Sequence, residues 1–307
     1  MGKFMATRLF QAVLTLWAVS IVIFLIPRVT GNAADALLPV EATAEQREIL
    51  IEDLGLNRPL IVQYGTFMGD VLTLDFGTSF RNKLPVRGML GERLVNSFYL
   101  GTASLVVAII LAVPLGTIAA LNRGSVLDRS IMMIPILGQS MPSFWAGILL
   151  ILLFSIFLGW LPAQSHDTGD WKGYLMPSIS LGWIISAGVT RLVRSSMLEV
   201  LGSEYVKLAR AKGVSEWYVV FKHALRNALI PVVTFLGLTY GLILGAAIST
   251  ETVFSWPGMG RLAYEAVLFR DFPLLQATTL VWAGMIIGIN LIVDLMYGML
   301  DPRIRVT

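Results

Sequence analysis

The side chains best able to do chemistry gather at Ser203–Pro231, SEYVKLARAKGVSEWYVVFKHALRNALIP, in a chain that is otherwise oily. Lys207, Arg210, Lys212, Lys222 and Arg226 make this stretch a basic island. On a helix, Lys207 and Arg210 share a face that suits acidic groups on a partner or on lipid headgroups. Ala209, Ala211 and Gly213 remove bulk, so a partner backbone can come close. That is the chemistry of docking, and catalytic groups are scarce elsewhere. There is no cysteine, which excludes disulfides, thiolate catalysis and cysteine-held metals. Of the two histidines, His166 beside Asp167 reads as a solvated loop residue, and His223 lies in the island. No Gly-x-x-x-x-Gly-Lys-Ser/Thr run builds a phosphate loop, and no Gly-x-Ser-x-Gly or Gly-x-Gly-x-x-Gly sits between a strand and a helix. The expectation is a chain without catalytic, metal or cofactor residues of its own.

A second set of polar groups is embedded in apolar sequence. Asp294 has Asn290 one turn before it and Tyr297 nearly one turn after, so the three share a face. An ionisable group inside a membrane costs at least ~2.5–3.5 kcal/mol on insertion scales, which makes it a functional candidate by default. Two readings stay open for Asp294: it lines a pore, or it pairs near the cytoplasmic end with a cation such as Arg191 or Arg194. Gln139 and Ser140 stand between Pro135 and Pro142, and proline frees backbone carbonyls and kinks a helix. A kinked, polar-faced helix suits a pore wall, although prolines also occur in purely structural membrane helices.

The elements that must position these residues follow from composition. Of 307 residues 56% are hydrophobic and 14% charged. Soluble domains average about 25% charged residues, so this is a polytopic membrane protein. A spanning helix needs roughly 20 apolar residues. Six segments qualify: Leu9–Ile26, Phe98–Leu121, Ile131–Leu158, Leu175–Val193, Ala228–Ile248 and Gln276–Leu300. The first resembles a signal peptide, with Lys3 and Arg8 before it and Ala34-Asp35-Ala36 after it. Its apolar run exceeds the ~7–15 residues of a signal core, so it reads as a retained span.

Charge sets the orientation. With the N-terminus inside, the inner loops and helix ends carry Lys3, Arg8, Arg123, Arg129, Arg191, Arg194, Lys207, Arg210, Lys212, Lys222, Arg226, Arg303 and Arg305. Against them stand only Asp128, Glu199, Glu204, Glu216 and Asp301, while the outer segments are net acidic. Both termini and the island are therefore expected in the cytoplasm. Outside, the longest segment is Thr30–Asn96. In it Ala44–Leu54 reads as a short helix, with Thr43 as N-cap and Gly55 after its end. Asp75–Phe80, followed by Asn82 and Pro85, reads as turn and loop.

Within the island, Ser203 is placed to cap a helix Glu204–Lys212, with Glu204 near the positive end of its dipole. Gly213 suits the left-handed residue that ends it. Ser215 can cap a second helix from Glu216, which runs on through Pro231 into the fifth span. The alternative is a plain topogenic loop touching anionic lipid. Gly237, Gly241, Gly245 and Ala246 form a small-residue stripe that favours close helix packing. Beyond that span, Trp256-Pro257-Gly258 has the composition of a type II turn and also of an interfacial aromatic anchor.

Here the sequence becomes recognisable as a family. Lys207, Leu208, Ala209, Arg210, Ala211, Lys212 and Gly213 resemble the EAA loop of bacterial ABC importer permeases, in which Glu-Ala-Ala, three residues and Gly recur. Lys207 and Leu208 replace the generic Glu and first Ala, and Arg226 stands where the generic loop has proline. Those departures resemble the dipeptide/oligopeptide/nickel branch, as do LGLNRPLIVQYG at Leu54–Gly65, ETVFSWPGMGRL at Glu251–Leu262 and DPRIR at Asp301–Arg305.

The resemblance implies an all-α inner-membrane protein with six transmembrane helices and the type I importer permease fold. It divides the chain into a first span plus periplasmic segment (1–95), a permease core (96–300) and a cytoplasmic tail (301–307). The coupling helix at about 204–213 (Glu204, Lys207 to Gly213) would sit in a groove of a separate ATPase subunit, where ATP and Mg bind. Implied partners are a second, homologous permease, two ATPase subunits, a periplasmic or lipid-anchored substrate-binding protein and membrane lipid, with no nucleic acid. Gln139, Ser140, Asn290 and Asp294 become pathway candidates. Glu251, Trp256, Pro257 and Gly258 become candidates for the outer gate and binding-protein contact. The small-residue stripe becomes a candidate permease–permease interface. The function implied is uptake of a di- or oligopeptide or similar small solute. A self-sufficient secondary transporter, or a membrane sensor recruiting a cytoplasmic partner, are the competing readings. Two histidines and no cysteine argue against direct ligation of nickel.

Overall fold

A computed structural model describes residues 2–30, 38, 43–53, 55–164 and 170–300. His166, Asp167, the 34–36 tripeptide and the tail with Asp301–Arg305 lie outside these residues. The described chain is helical throughout, with a single isolated bridge, Thr78 to Pro85, in place of any strand. Five helices are long and apolar enough to cross a membrane, and a sixth crossing exists if one bent pair counts as a span.

The five continuous helices overrun their apolar cores. Gly2–Thr30, Val86–Leu121, Trp171–Leu201, Ile230–Val253 and Phe272–Leu300 each extend beyond the apolar run that marks them in sequence. The largest extension is at Val86. The twelve residues before Phe98 continue the helix because Val86 and Leu90 are buried in a packed cluster with Met259, Leu262, Ala266, Leu274, Ala277 and Trp282.

The third expected span is not one helix. Val126–Gln139 and Ser143–Leu150, the latter continued as wider turns over Ile151–Phe157, meet at 101°. A proline kink was the expectation; a near right-angle break is the result. Pro135 stays buried inside the first piece. The break falls at Pro142, whose backbone is extended (φ −61°, ψ 143°), so the second piece starts afresh there. A proline also disfavours helical geometry in the residue before it. Gly138 permits the packing at this corner, because a Cβ there would overlap the Trp183 indole.

Backbone contacts divide the chain into two compact units: residues up to Asn96 with those from Gly258 onward, and Ser97–Pro257. In the first unit the Gly2–Thr30 helix packs along Phe272–Leu300. Ser20 shares a hydrogen bond with the Tyr64 hydroxyl at 2.7 Å, and Phe24 meets Tyr64 edge-on at 5.2 Å. The short helix Ala44–Asp53 starts as read. Thr43 Oγ1 accepts from Gln46 N at 3.3 Å and Gln46 Oε1 accepts from Thr43 N at 3.1 Å, a reciprocal cap. In the second unit Ala112, Val189, Val193, Met197, Val220, Ala224 and Val232 form the core. In lipid such helices are held by close packing more than by exclusion of water, which accounts for the many small residues.

Candidate coupling and pathway sites

The basic island folds as a helical hairpin. Glu204–Ala211 is its first arm. Lys212 closes it and Gly213 adopts φ +76°. Gly213 N donates to Arg210 O (2.9 Å) and Val214 N to Ala209 O (3.2 Å), which satisfies the carbonyls at the helix end. No atom lies within 4 Å of where a Gly213 Cβ would be, so the glycine is required by backbone conformation rather than by space. The second arm runs Glu216–Tyr218, then wider turns over Val219–Ala224, then Leu225–Ala228. Ser203 and Ser215 occupy the two cap positions with extended backbones, but neither caps through its side chain. The Ser203 hydroxyl donates to Val200 O at 2.5 Å instead.

The charges of the island are paired otherwise than expected. Lys207 Nζ binds Glu204 at 2.8 Å, and Arg210 grips Glu216 with Nε at 3.0 Å and Nη2 at 2.6 Å. Carboxylates three before Lys207 and six after Arg210 reach them at once, so the two cations expected to suit acids on a partner or on lipid headgroups are paired within the chain. The bond from Arg210 holds the Glu216 carboxyl below its ordinary range. Arg226 and Lys212 are exposed as well. Within the first arm only Val206 is buried. Tyr205 and Leu208 are 44% and 55% exposed, and Ala211 is exposed with them. The arm is tied down by Val206 and by the bond from Asn227 Nδ2 to Tyr205 Oη at 2.8 Å. It therefore presents most of its surface outward.

The pathway candidates fall in different units. Gln139 ends the Val126–Gln139 helix at the break, and Ser140 caps it, its hydroxyl donating to Ile136 O at 3.0 Å. Gln139, Ser143, Gly188, Phe235, Thr239 and Ala246 line a cavity of about 250 Å³ at the corner. Asn290 and Asp294 belong to the other unit. Asn290 is exposed, whereas Asp294 pairs with Arg8 Nε at 3.2 Å. Of the two open readings, the pairing one names Arg191 and Arg194 as examples of the cation, and the cation found is Arg8. Arg194 is committed to Asp128 and Arg191 to Gln139, while the first helix brings Arg8 alongside Asp294. The side chain of Tyr297 lies outside the described residues.

The segment after Val253 also departs from its reading. Gly258 has φ −106°, not the positive φ of a type II turn. The left-handed residue is Ser255 (φ 53°), which ends the Ile230–Val253 helix with bonds Ser255 N to Thr252 O (3.3 Å) and Trp256 N to Glu251 O (2.8 Å). Trp256 is fully buried, edge-on to Tyr174 at 4.5 Å, so it is no interfacial anchor. Glu251 is fully buried as well and accepts from Ser97 Oγ at 2.6 Å.

Two carboxylates escaped sequence reasoning as structural centres. Asp128 accepts both Arg194 Nε and Nη2 at 2.7 Å and Gly124 N at 2.9 Å, while its own N–H donates to Ser125 Oγ at 3.1 Å. The Ser125-x-x-Asp128 cap was legible; its partner 66 residues away was not. Asp271, 1% exposed, accepts Ser79 Oγ (2.5 Å), Phe80 N (3.0 Å) and Arg81 N (3.3 Å), and so fixes the outer loop to the start of the last helix.

Comparison with known proteins gives a consistent likeness. Residues 112–306 match the family described as binding-protein-dependent transport system inner membrane component, and residues 1–101 match its N-terminal counterpart. The glutathione transport system permease protein GsiC of Escherichia coli (strain K12) is 40% identical over 306 residues, covering 99% of each chain. The GsiC of Shigella dysenteriae serotype 1 (strain Sd197) is similar to the same degree. A crystal structure of an amino acid ABC transporter with histidines aligns with a TM-score of 0.51 at 15% identity, over 68% of this chain and 92% of that one, a likeness of fold.

Proposed function

Because the chain belongs to the binding-protein-dependent transport system inner membrane components, the permease subunits of bacterial ABC importers, we propose that it carries a peptide-like solute inward, glutathione or a short peptide, with ATP and Mg bound by separate subunits. Family membership sets aside the secondary transporter and the sensor. The full-length likeness to glutathione permeases supports the cargo class.

The observation that carries the energetic part of this reading is the hairpin at Gly213. Its first arm buries only Val206 and exposes Tyr205, Leu208 and Ala211 beside the basic Lys212. Such a surface suits the groove of an ATPase subunit. Closure of an ATPase dimer would draw two such arms together and turn the spans from inward-open to outward-open. A second, related permease would supply the other arm. Gly245 and Ala246, exposed on the Ile230–Val253 helix, offer that permease a close approach. A periplasmic or lipid-anchored binding protein would deliver the solute, with both termini of this chain in the cytoplasm. Buried Glu251 and Trp256 would shape an outer gate from within, since neither presents a surface to the delivering protein.

The test is purification of the tagged chain from membranes containing the other components. The two ATPase subunits should co-purify, and Gly213→Trp should reduce both their recovery and uptake. Undiminished uptake and ATPase stimulation in Gly213→Trp would remove the coupling assignment.

A further inference from the structure

Arg191 and Arg194 lie one turn apart on the Trp171–Leu201 helix and are neutralised differently. Arg194 holds Asp128 with two bonds of 2.7 Å. Arg191 donates through Nη2 to the neutral amide oxygen of Gln139 at 2.8 Å, and among the described residues no carboxylate lies against it. Arg28, which also meets a neutral glutamine, engages Gln63 twice and Phe24 O once and rests on the Phe24 ring. Arg191 makes one bond and its side chain is exposed.

The helix carrying Arg191 is long and apolar enough to cross a membrane. Arg191 stands in the half of that helix toward the end expected to be cytoplasmic, where its exposed guanidinium faces water or an anion rather than lipid. Its place identifies which space that is. Gln139 ends its helix at the 101° break and lines the cavity with Ser143, Gly188 and Thr239. Arg191 follows Gly188 by about one turn on the same face. Gln139 thus links the two, its oxygen on the guanidinium and its side chain among those that line the cavity. The corner offers an arginine whose one bond goes to a neutral amide and which has no anionic acceptor among the described residues. The planar fork of arginine matches a carboxylate with two parallel bonds.

We propose that Arg191, with Gln139, forms a carboxylate subsite that holds the acid group of the solute as it passes the break. The proposal rests on the import reading and deepens it. Any peptide with a free C-terminus has this group, so the subsite selects for a class of cargo and leaves finer choice to the binding protein.

The full transporter is reconstituted in proteoliposomes with its binding protein, and glutathione uptake is followed. Arg191→Gln is expected to lower uptake at least about tenfold, as loss of a charge-assisted pair predicts, with Arg191→Lys between. A second arm omits the binding protein and measures the thermal midpoint of the purified complex with glutathione or sodium acetate, against sodium chloride at equal ionic strength. The wild type should be stabilised by both carboxylates and Arg191→Gln by neither. A merely structural Arg191–Gln139 contact would not produce that difference, and a carboxylate supplied by a partner permease would leave the wild type unshifted. Uptake by Arg191→Gln within about twofold of wild type overturns the proposal. If the wild type does not take up glutathione, the cargo reading fails and the binding arm alone decides. Equal or absent shifts in the two complexes then overturn the subsite.

Discussion

Gly213, Glu216 and Asp128 show how single residues set the behaviour of the permease. Gly213 sits at φ +76° with open space around it, so a side chain would be penalised only through the backbone. Gly213→Ala should destabilise the hairpin by about 1–2 kcal/mol, and Gly213→Asn by less, because asparagine tolerates the left-handed region. Hydrogen exchange at the Val214 amide would report it. The pair between Arg210 and Glu216 is half-exposed, and its contribution is at most about 1 kcal/mol. Glu216 has a lowered carboxyl pKa when folded, so this contribution is complete above the ordinary value of about 4.3 and disappears as pH falls through the lower folded value. Exchange protection of the hairpin should therefore be flat from about pH 8 to 5, fall only in stronger acid, and lose this acid sensitivity in Arg210→Gln. Asp128→Asn would leave the Arg194 fork without its anion. It should lower the thermal midpoint more than Arg129→Gln, a substitution at an exposed neighbour. The island was recognisable from its residues, since left-handed glycine, caps and charge are local properties. Which acids would claim Lys207 and Arg210 was not, because Glu216 reaches Arg210 only after Gly213 turns the chain.

At the scale of elements, length and apolar content fixed where helices lie, and packing decided how they end and bend. The sequence placed the third span correctly as apolar and expected a kink in it, where the structure has a 101° break. Pro135 and Pro142 looked alike in sequence; one is absorbed inside a helix and the other starts a new one. The difference arises from the corner, where Gly138 lies against Trp183. Gly138→Ala should cost about 1–3 kcal/mol by overpacking, measured as thermal unfolding of the purified complex, and Trp183→Phe should recover part of that in the double variant. A fully additive pair would contradict the contact. Ser255 carries the same lesson at a helix end. Its left-handed turn was invisible beside the conspicuous Trp-Pro-Gly, because the signal lies in bonds back to Glu251 and Thr252 rather than in residue type.

For the whole molecule, the stripe Gly237, Gly241, Gly245 and Ala246 proposed to meet a partner permease leaves only Gly245 and Ala246 exposed, since Gly241 is buried. Gly245→Leu should reduce recovery of the second permease in a detergent pull-down, while Gly237→Ala, half-buried on the same helix, should reduce it less. Equal recovery from both would place the partner elsewhere. Sequence by itself determined that this is an all-helical membrane protein with a basic island hinged at Gly213, because hydrophobic run length, charge distribution and a left-handed glycine are written residue by residue, and its motifs carried the resemblance to the permease family. Tertiary structure alone decided that Asp294 meets Arg8, that Asp128 meets Arg194, that Glu251 and Trp256 are interior, and that Arg191 has as its partner the neutral Gln139 that lines the corner cavity. Those pairings join residues tens to hundreds of positions apart, and the energy of a buried charge depends on what folding places within a few ångströms of it.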